Sequence, residues 1–168
     1  MGFLLPTLLQ DWFGYTKGEA SARAAGFIIA ATIARPVGGW VSDRVGAVPV
    51  LVLAFAGIAV DAAVLAALAP DPRIVPVTIA SLSLGAFLGS GSGAVFKLVP
   101  GEFPANPGAA AGVVGAAGGL GGFFPPIYVG LVKDAQGTYT YGFVGLLVFV
   151  AVCLGIAVWL LRKPVALA

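Results

Sequence analysis

An all-α protein that crosses a membrane several times is what this sequence predicts, on three observations. Apolar residues make up 60% of the 168 positions and charged residues 10%, against about 25% charge in an ordinary soluble domain. The apolar residues fall into repeated runs of about 20, the length at which a helix spans the hydrocarbon core of a bilayer. None of the short alternating strands of a membrane barrel is visible.

Composition also removes several function classes. A net charge of +2 is too small to suggest nucleic acid or a polybasic membrane contact. Cys153 is the single cysteine, and it lies inside an apolar run, so there is no disulfide framework. With no histidine in the chain, histidine metal ligands, histidine bases and Ser-His or Cys-His nucleophile pairs are excluded. No catalytic constellation, metal site or cofactor is expected, and the chain does not read as an enzyme.

The elements follow in order. Residues 1–13 lack the basic start and small-residue cleavage site of a signal peptide. Phe3 to Phe13 covers only about 16 Å as helix, roughly half a bilayer. It reads as a clipped spanning helix that ends at Trp12–Phe13, an aromatic pair suited to the interface. Thr16 and Glu19 then form a T-x-x-E capping box, which starts a helix over 17–42. A third helix runs over 48–69 and stops at Pro-Asp-Pro-Arg, a turn that no helix continues through. A fourth covers 74–98, with Pro76 in its first turn. A fifth covers 107–132 and is expected to be interrupted at Pro125–Pro126. A sixth covers 141–161 and leaves a short frayed tail. Arg44, Arg162 and Lys163 collect on one side with Lys97 near them. Lys17, Arg23, Arg73 and Lys133 collect on the other, among Asp11, Glu19, Asp71 and Asp134. The basic pair directly after the last helix favours the cytoplasm for the tail side.

Two charges stand inside the apolar runs. Arg35 lies roughly 18 Å along its helix from Arg23 and roughly 12 Å from Asp43, near the middle of a slab about 30 Å thick. A guanidinium there costs at least about 2.5–3.5 kcal/mol, which is tolerated when it faces a polar cavity and holds something. A structural ion pair, or a contact with carbonyls freed by Pro36, is the plainer reading. Asp61 is the second charge. It reads as a structural contact or a cavity-facing carboxylate, about 10 Å in depth from Arg35. Lys97, near a helix end, is expected to snorkel to the interface. Phe123, Phe124 and Tyr128 read as core or lipid-facing residues.

Glycine is dense in two helices: Gly85, Gly89, Gly91 and Gly93 in the fourth, and Gly112, Gly115, Gly118, Gly119, Gly121 and Gly122 in the fifth. Each costs a helix about 1 kcal/mol relative to Ala in water. Small-xxx-small spacing lets backbones approach closely, so packing is the first expectation for most of them. Approach of a backbone to a small solute is the second.

The stretch GGWVSDRVG, from Gly38 to Gly46, resembles the G-x-x-x-D-R-x-G signature of the major facilitator superfamily, in which Asp and Arg contribute to a cytoplasmic gate. Here Asp43 and Arg44 match those positions, although Ala47 and Val48 follow where basic residues are usual. GSGSGAVFKLVPGEFP followed by GVVGAAGGLGGFFPP is similar to the glycine-rich signature of the nitrate/nitrite porters within that superfamily, and ARPVGGWVSDRVG fits their eighth helix. The resemblance covers nearly the whole chain as helices seven to twelve of a twelve-helix transporter: a six-helix half with its first helix truncated.

This resemblance implies transport of nitrate or nitrite across the cell membrane by alternating access, with the SDR loop and the C-terminus cytoplasmic. Arg35 matches the midplane arginine that clamps the anion from the second half. Ser92, Gly115, Gly118, Gly119 and Gly122 match the positions that line the substrate path, with Ser92 standing where Asn is frequent. An N-terminal six-helix half, from the same gene product or a separate chain, is the implied partner beside the lipid bilayer, and the chain alone is expected to be inactive. A facilitator for another small anion or metabolite, or a truncated membrane fragment that does not transport, are the alternatives.

Overall fold

The computed structural model describes residues 4–162. Lys163 and the tail, like the first residues of the clipped helix, lie outside the described residues. Six helices follow one another: α1 (Leu4–Phe13), α2 (Lys17–Val45), α3 (Ala47–Leu68), α4 (Ile74–Glu102), α5 (Pro107–Gln136) and α6 (Thr140–Arg162). Five of them, α2 to α6, are long and apolar enough to cross a membrane. The described residues contain no strand.

Local chemistry sets the helix ends. The Thr16 hydroxyl accepts from the Glu19 N–H at 3.3 Å, and the Glu19 carboxylate accepts from the Thr16 N–H at 3.0 Å, so the expected capping box starts α2. Gly46, at φ 89°, turns the chain between α2 and α3, a conformation that side chains with a Cβ resist. Gly137, at φ 71°, closes α5.

Three helices run further than the sequence suggests. α4 continues through Pro100 to Glu102, and α2 reaches Val45. α5 is a single helix that passes through Pro125 and Pro126 to Gln136, which corrects the expected interruption. The two prolines cannot donate to the carbonyls of Gly121 and Gly122, four residues earlier. Both carbonyls belong to glycines, whose backbone freedom lets them tilt away from the rings while the helix continues.

The centre of the bundle is the α2–α4 pair, which packs more extensively than any other. Gly85, Gly89 and Gly93 form a seam on α4 at four-residue spacing. Opposite them on α2 stand the backbone carbonyls of Phe27, Ala31 and Arg35. A Cβ at Gly89 or Gly93 would run into the Ala31 or Arg35 carbonyl, and one at Gly38 into the Ser90 backbone. The fourth-helix glycines therefore do what the packing expectation says. α4 also packs on α3, where Gly57 lies under the Phe87 ring, and α3 packs on α6.

α5 differs. Val129 is its one buried residue, and it contacts α4 only lightly. Its second half rests on α6, where Gly142 meets Val129 and Gly145 meets Tyr128. One end of the bundle is tied by Asp11. Its carboxylate pairs with Lys133 of α5 at 2.7 Å and accepts from the Tyr139 hydroxyl at 2.5 Å. Burial, with the Asp11 carboxylate beside it, pushes the Tyr139 phenol well above its ordinary pKa. Trp12 stacks edge-on to Tyr139 with ring centroids 5.6 Å apart.

Candidate anion site

Arg35 sits on α2 directly before Pro36, with its backbone on the face that the α4 glycines cover. Because Gly93 packs on the Arg35 carbonyl, the backbone at this position is held against α4. The side chain lines a cavity of about 560 Å³ between α2, α3, α4 and α5. α3 contributes Leu51, Ala54, Phe55 and Ile58. α4 contributes Phe87, Leu88, Gly91, Ser92, Val95 and Phe96. α5 contributes Val114, Gly115, Gly118 and Gly119. Arg35 and Ser92 are the two polar side chains of this lining, and Arg35 is its one charge.

The electrostatics follow from what is missing around the guanidinium. Among the described residues it makes no ion pair or hydrogen bond. The ion pairs there join Asp71 to Arg73, Asp43 to Lys97 and Asp11 to Lys133. Asp61 is bonded to Ser83 and not to Arg35. The structural ion pair considered for Arg35 is thus not formed. Arg35 is exposed in this half, and presents a permanent cation with a planar fork of donors along an open, otherwise apolar chamber with one hydroxyl in it. Chemically, the arrangement suits a small anion that takes two parallel charge-assisted hydrogen bonds.

The structure brings Arg35, Ser92, Gly115, Gly118 and Gly119 to this one chamber, while Gly122 is not among its lining residues. The fifth-helix glycines depart from the packing expectation. Gly112, Gly118, Gly119, Gly121 and Gly122 have nothing within 4 Å of an added Cβ, and Gly115 meets only the edge of Phe96 at 3.9 Å. Phe123, Phe124 and Tyr128 are exposed and lie away from the chamber. Phe55, Phe87 and Phe96 are lining residues that sequence reasoning missed. The signal was available for one of them: Phe96 lies one turn after the nominated Ser92, on the same helical face.

Asp43 and Arg44 stand at the end of α2. Asp43 pairs with Lys97 of α4, so Lys97 is tied across the helix pair rather than simply extended to the interface. Arg44 stacks over the Trp40 ring at 3.8 Å from its centroid. Both members of the Asp43–Lys97 pair are about half exposed, at 50% and 53%. Lys97→Gln is therefore expected to change stability by less than about 1 kcal/mol. A double-mutant cycle with Asp43→Asn, read by thermal unfolding, checks it.

A family model of the Major Facilitator Superfamily matches residues 1–168. The chain belongs to the major facilitator superfamily. Its curated relatives include the "Nitrite extrusion protein" of Bacillus subtilis, 41% identical over 142 residues, covering 84% of this chain and 35% of the relative. The "Probable nitrate/nitrite transporter NarK2" of Mycobacterium tuberculosis is 43% identical over 152 residues, 89% of this chain and 37% of the relative. The "Probable nitrate transporter NarT" of Staphylococcus epidermidis is 36% identical over 166 residues, 99% of this chain and 42% of the relative. Within the superfamily the chain is similar to these proteins named for nitrate or nitrite transport or extrusion. It is a multi-pass membrane protein, and it spans about two fifths of the length of the relatives it matches.

Proposed function

We propose that this chain is the second six-helix half of a nitrate/nitrite transporter that works by alternating access. The observation that carries the reading is Arg35: an unpaired guanidinium in a chamber whose other walls are apolar apart from Ser92. Nitrate and nitrite are small, planar and weakly hydrated enough to exchange water for two N–H donors. Arg35 clamps the anion from this half and Ser92 adds one hydrogen bond. Gly115, Gly118 and Gly119 let the α5 backbone form the wall without filling the space. Gly122, one turn further along α5, belongs to the same uncovered face and meets the partner half instead of the anion. Asp43 and Arg44 latch the cytoplasmic side, where the C-terminus also lies. The little-covered α5 supports an N-terminal half as partner, and without that half the chain does not transport.

Competition tests the substrate class. In vesicles holding the assembled transporter, excess nitrite is expected to suppress uptake of labelled nitrate at least tenfold, while sulfate and phosphate leave it near its starting rate. Suppression by another anion with no effect of nitrite would assign the site to a different small solute.

A further inference from the structure

Asp61 lies on α3 one turn beyond the chamber: Ile58 lines it three residues earlier, and Phe87 lines it four residues after Ser83. The Asp61 side chain is 8% exposed. Its Oδ1 accepts from the Ser83 hydroxyl at 2.7 Å, and its Oδ2 is buried without a hydrogen-bond partner. The helices packed on α3 carry cations at Lys17, Arg23, Arg35 and Arg44 of α2, Lys97 of α4 and Arg162 of α6. None of these bonds or pairs with Asp61. The other titratable groups on these helices, Glu19, Asp43, Glu102, Tyr141 and Cys153, make no hydrogen bond to it either. Ile58, Leu65, Leu84 and Ala80 belong to the surrounding apolar core.

A full negative charge in such a place has one neutral hydrogen bond to offset its lost hydration. Burying an ion without a counter-ion costs far more than leaving one neutral O–H without an acceptor. We propose that Asp61 is a proton-binding site within this half, holding its carboxyl as a neutral acid at neutral pH. The carbonyl oxygen is Oδ1, to which the Ser83 hydroxyl donates at 2.7 Å in preference to the Ala80 carbonyl at 3.2 Å, and the proton sits on Oδ2. The consequence reaches the chamber. With Asp61 neutral, no negative charge one turn from the chamber competes for Arg35, the one charged residue of its lining.

Infrared difference spectra of the assembled transporter in lipid test this independently of which anion is carried. Native minus Asp61→Asn is expected to show the carbonyl stretch of a protonated carboxylic acid at neutral pH. Ser83→Ala, which removes the hydrogen bond to that carbonyl, is expected to shift the same stretch to higher frequency. Ser83→Ala leaves the aspartate in place, so its shift decides the matter even if the asparagine variant does not assemble. Carboxylate bands at Asp61 in place of the acid stretch, as a bound metal cation would also produce, overturn the proposal. So does a native spectrum that Ser83→Ala leaves unchanged.

Discussion

Arg35→Lys, introduced into the assembled transporter, loses most nitrate uptake although the charge is kept. The expected loss is about 10- to 100-fold, the worth of one hydrogen bond to a charged group. Lysine places a compact charge on a flexible stem and cannot present two parallel donors to a planar anion. It would also hold its water more tightly than guanidinium in a chamber lined by Leu51, Phe55, Ile58 and Phe87. Initial rates of labelled nitrate uptake at matched expression measure the effect. Uptake within twofold of native would mean that charge alone suffices and that the fork geometry does nothing.

The second large effect separates two glycines that look alike in the sequence. Gly89→Leu is expected to prevent the bundle from forming, at a cost of about 3 kcal/mol or more. Even a single Cβ there meets the Ala31 carbonyl and the Ala34 side chain, and neither can retreat without moving α2. A Cβ at Gly119 has nothing within 4 Å, and the rest of a leucine there extends into the open chamber, so the half is expected to keep its packing and its unfolding midpoint. Transport nevertheless falls, because the leucine projects from the chamber wall and keeps the halves from closing. Yield of folded protein and thermal unfolding report on the first variant, and uptake by protein of normal stability reports on the second. A Gly119→Leu transporter with native uptake would remove the α5 glycines from the moving surface.

These two glycines also show where sequence reasoning stops. Four-residue spacing announces that a helix face is small. It carries no information about whether a neighbouring backbone fills that face, which depends on how the helices assemble. Gly85, Gly89 and Gly93 found α2, whereas Gly118 and Gly122, with the same spacing, found open space. Local signals read well for the opposite reason. Thr16 and Glu19 are three residues apart and satisfy each other within one turn. Arg35 was legible because a guanidinium is rare in an apolar run and needs a cause. Lys97 and Asp43 were read separately, since they lie far apart in the chain and only the α2–α4 register brings them together. Ser83 escaped notice beside Asp61 in the same way. Pro125 and Pro126 promised a break that did not come, because the carbonyls they leave free belong to glycines.

Nitrate binding to the purified assembled transporter, measured calorimetrically with Arg35 present and with Arg35→Gln, bears most directly on the chamber. Saturable binding that nitrite displaces, and that Arg35→Gln abolishes while the unfolding midpoint stays within a few degrees, is the expected result. Equal nitrate affinity in the native and Arg35→Gln proteins would contradict it and place the anion somewhere other than this chamber.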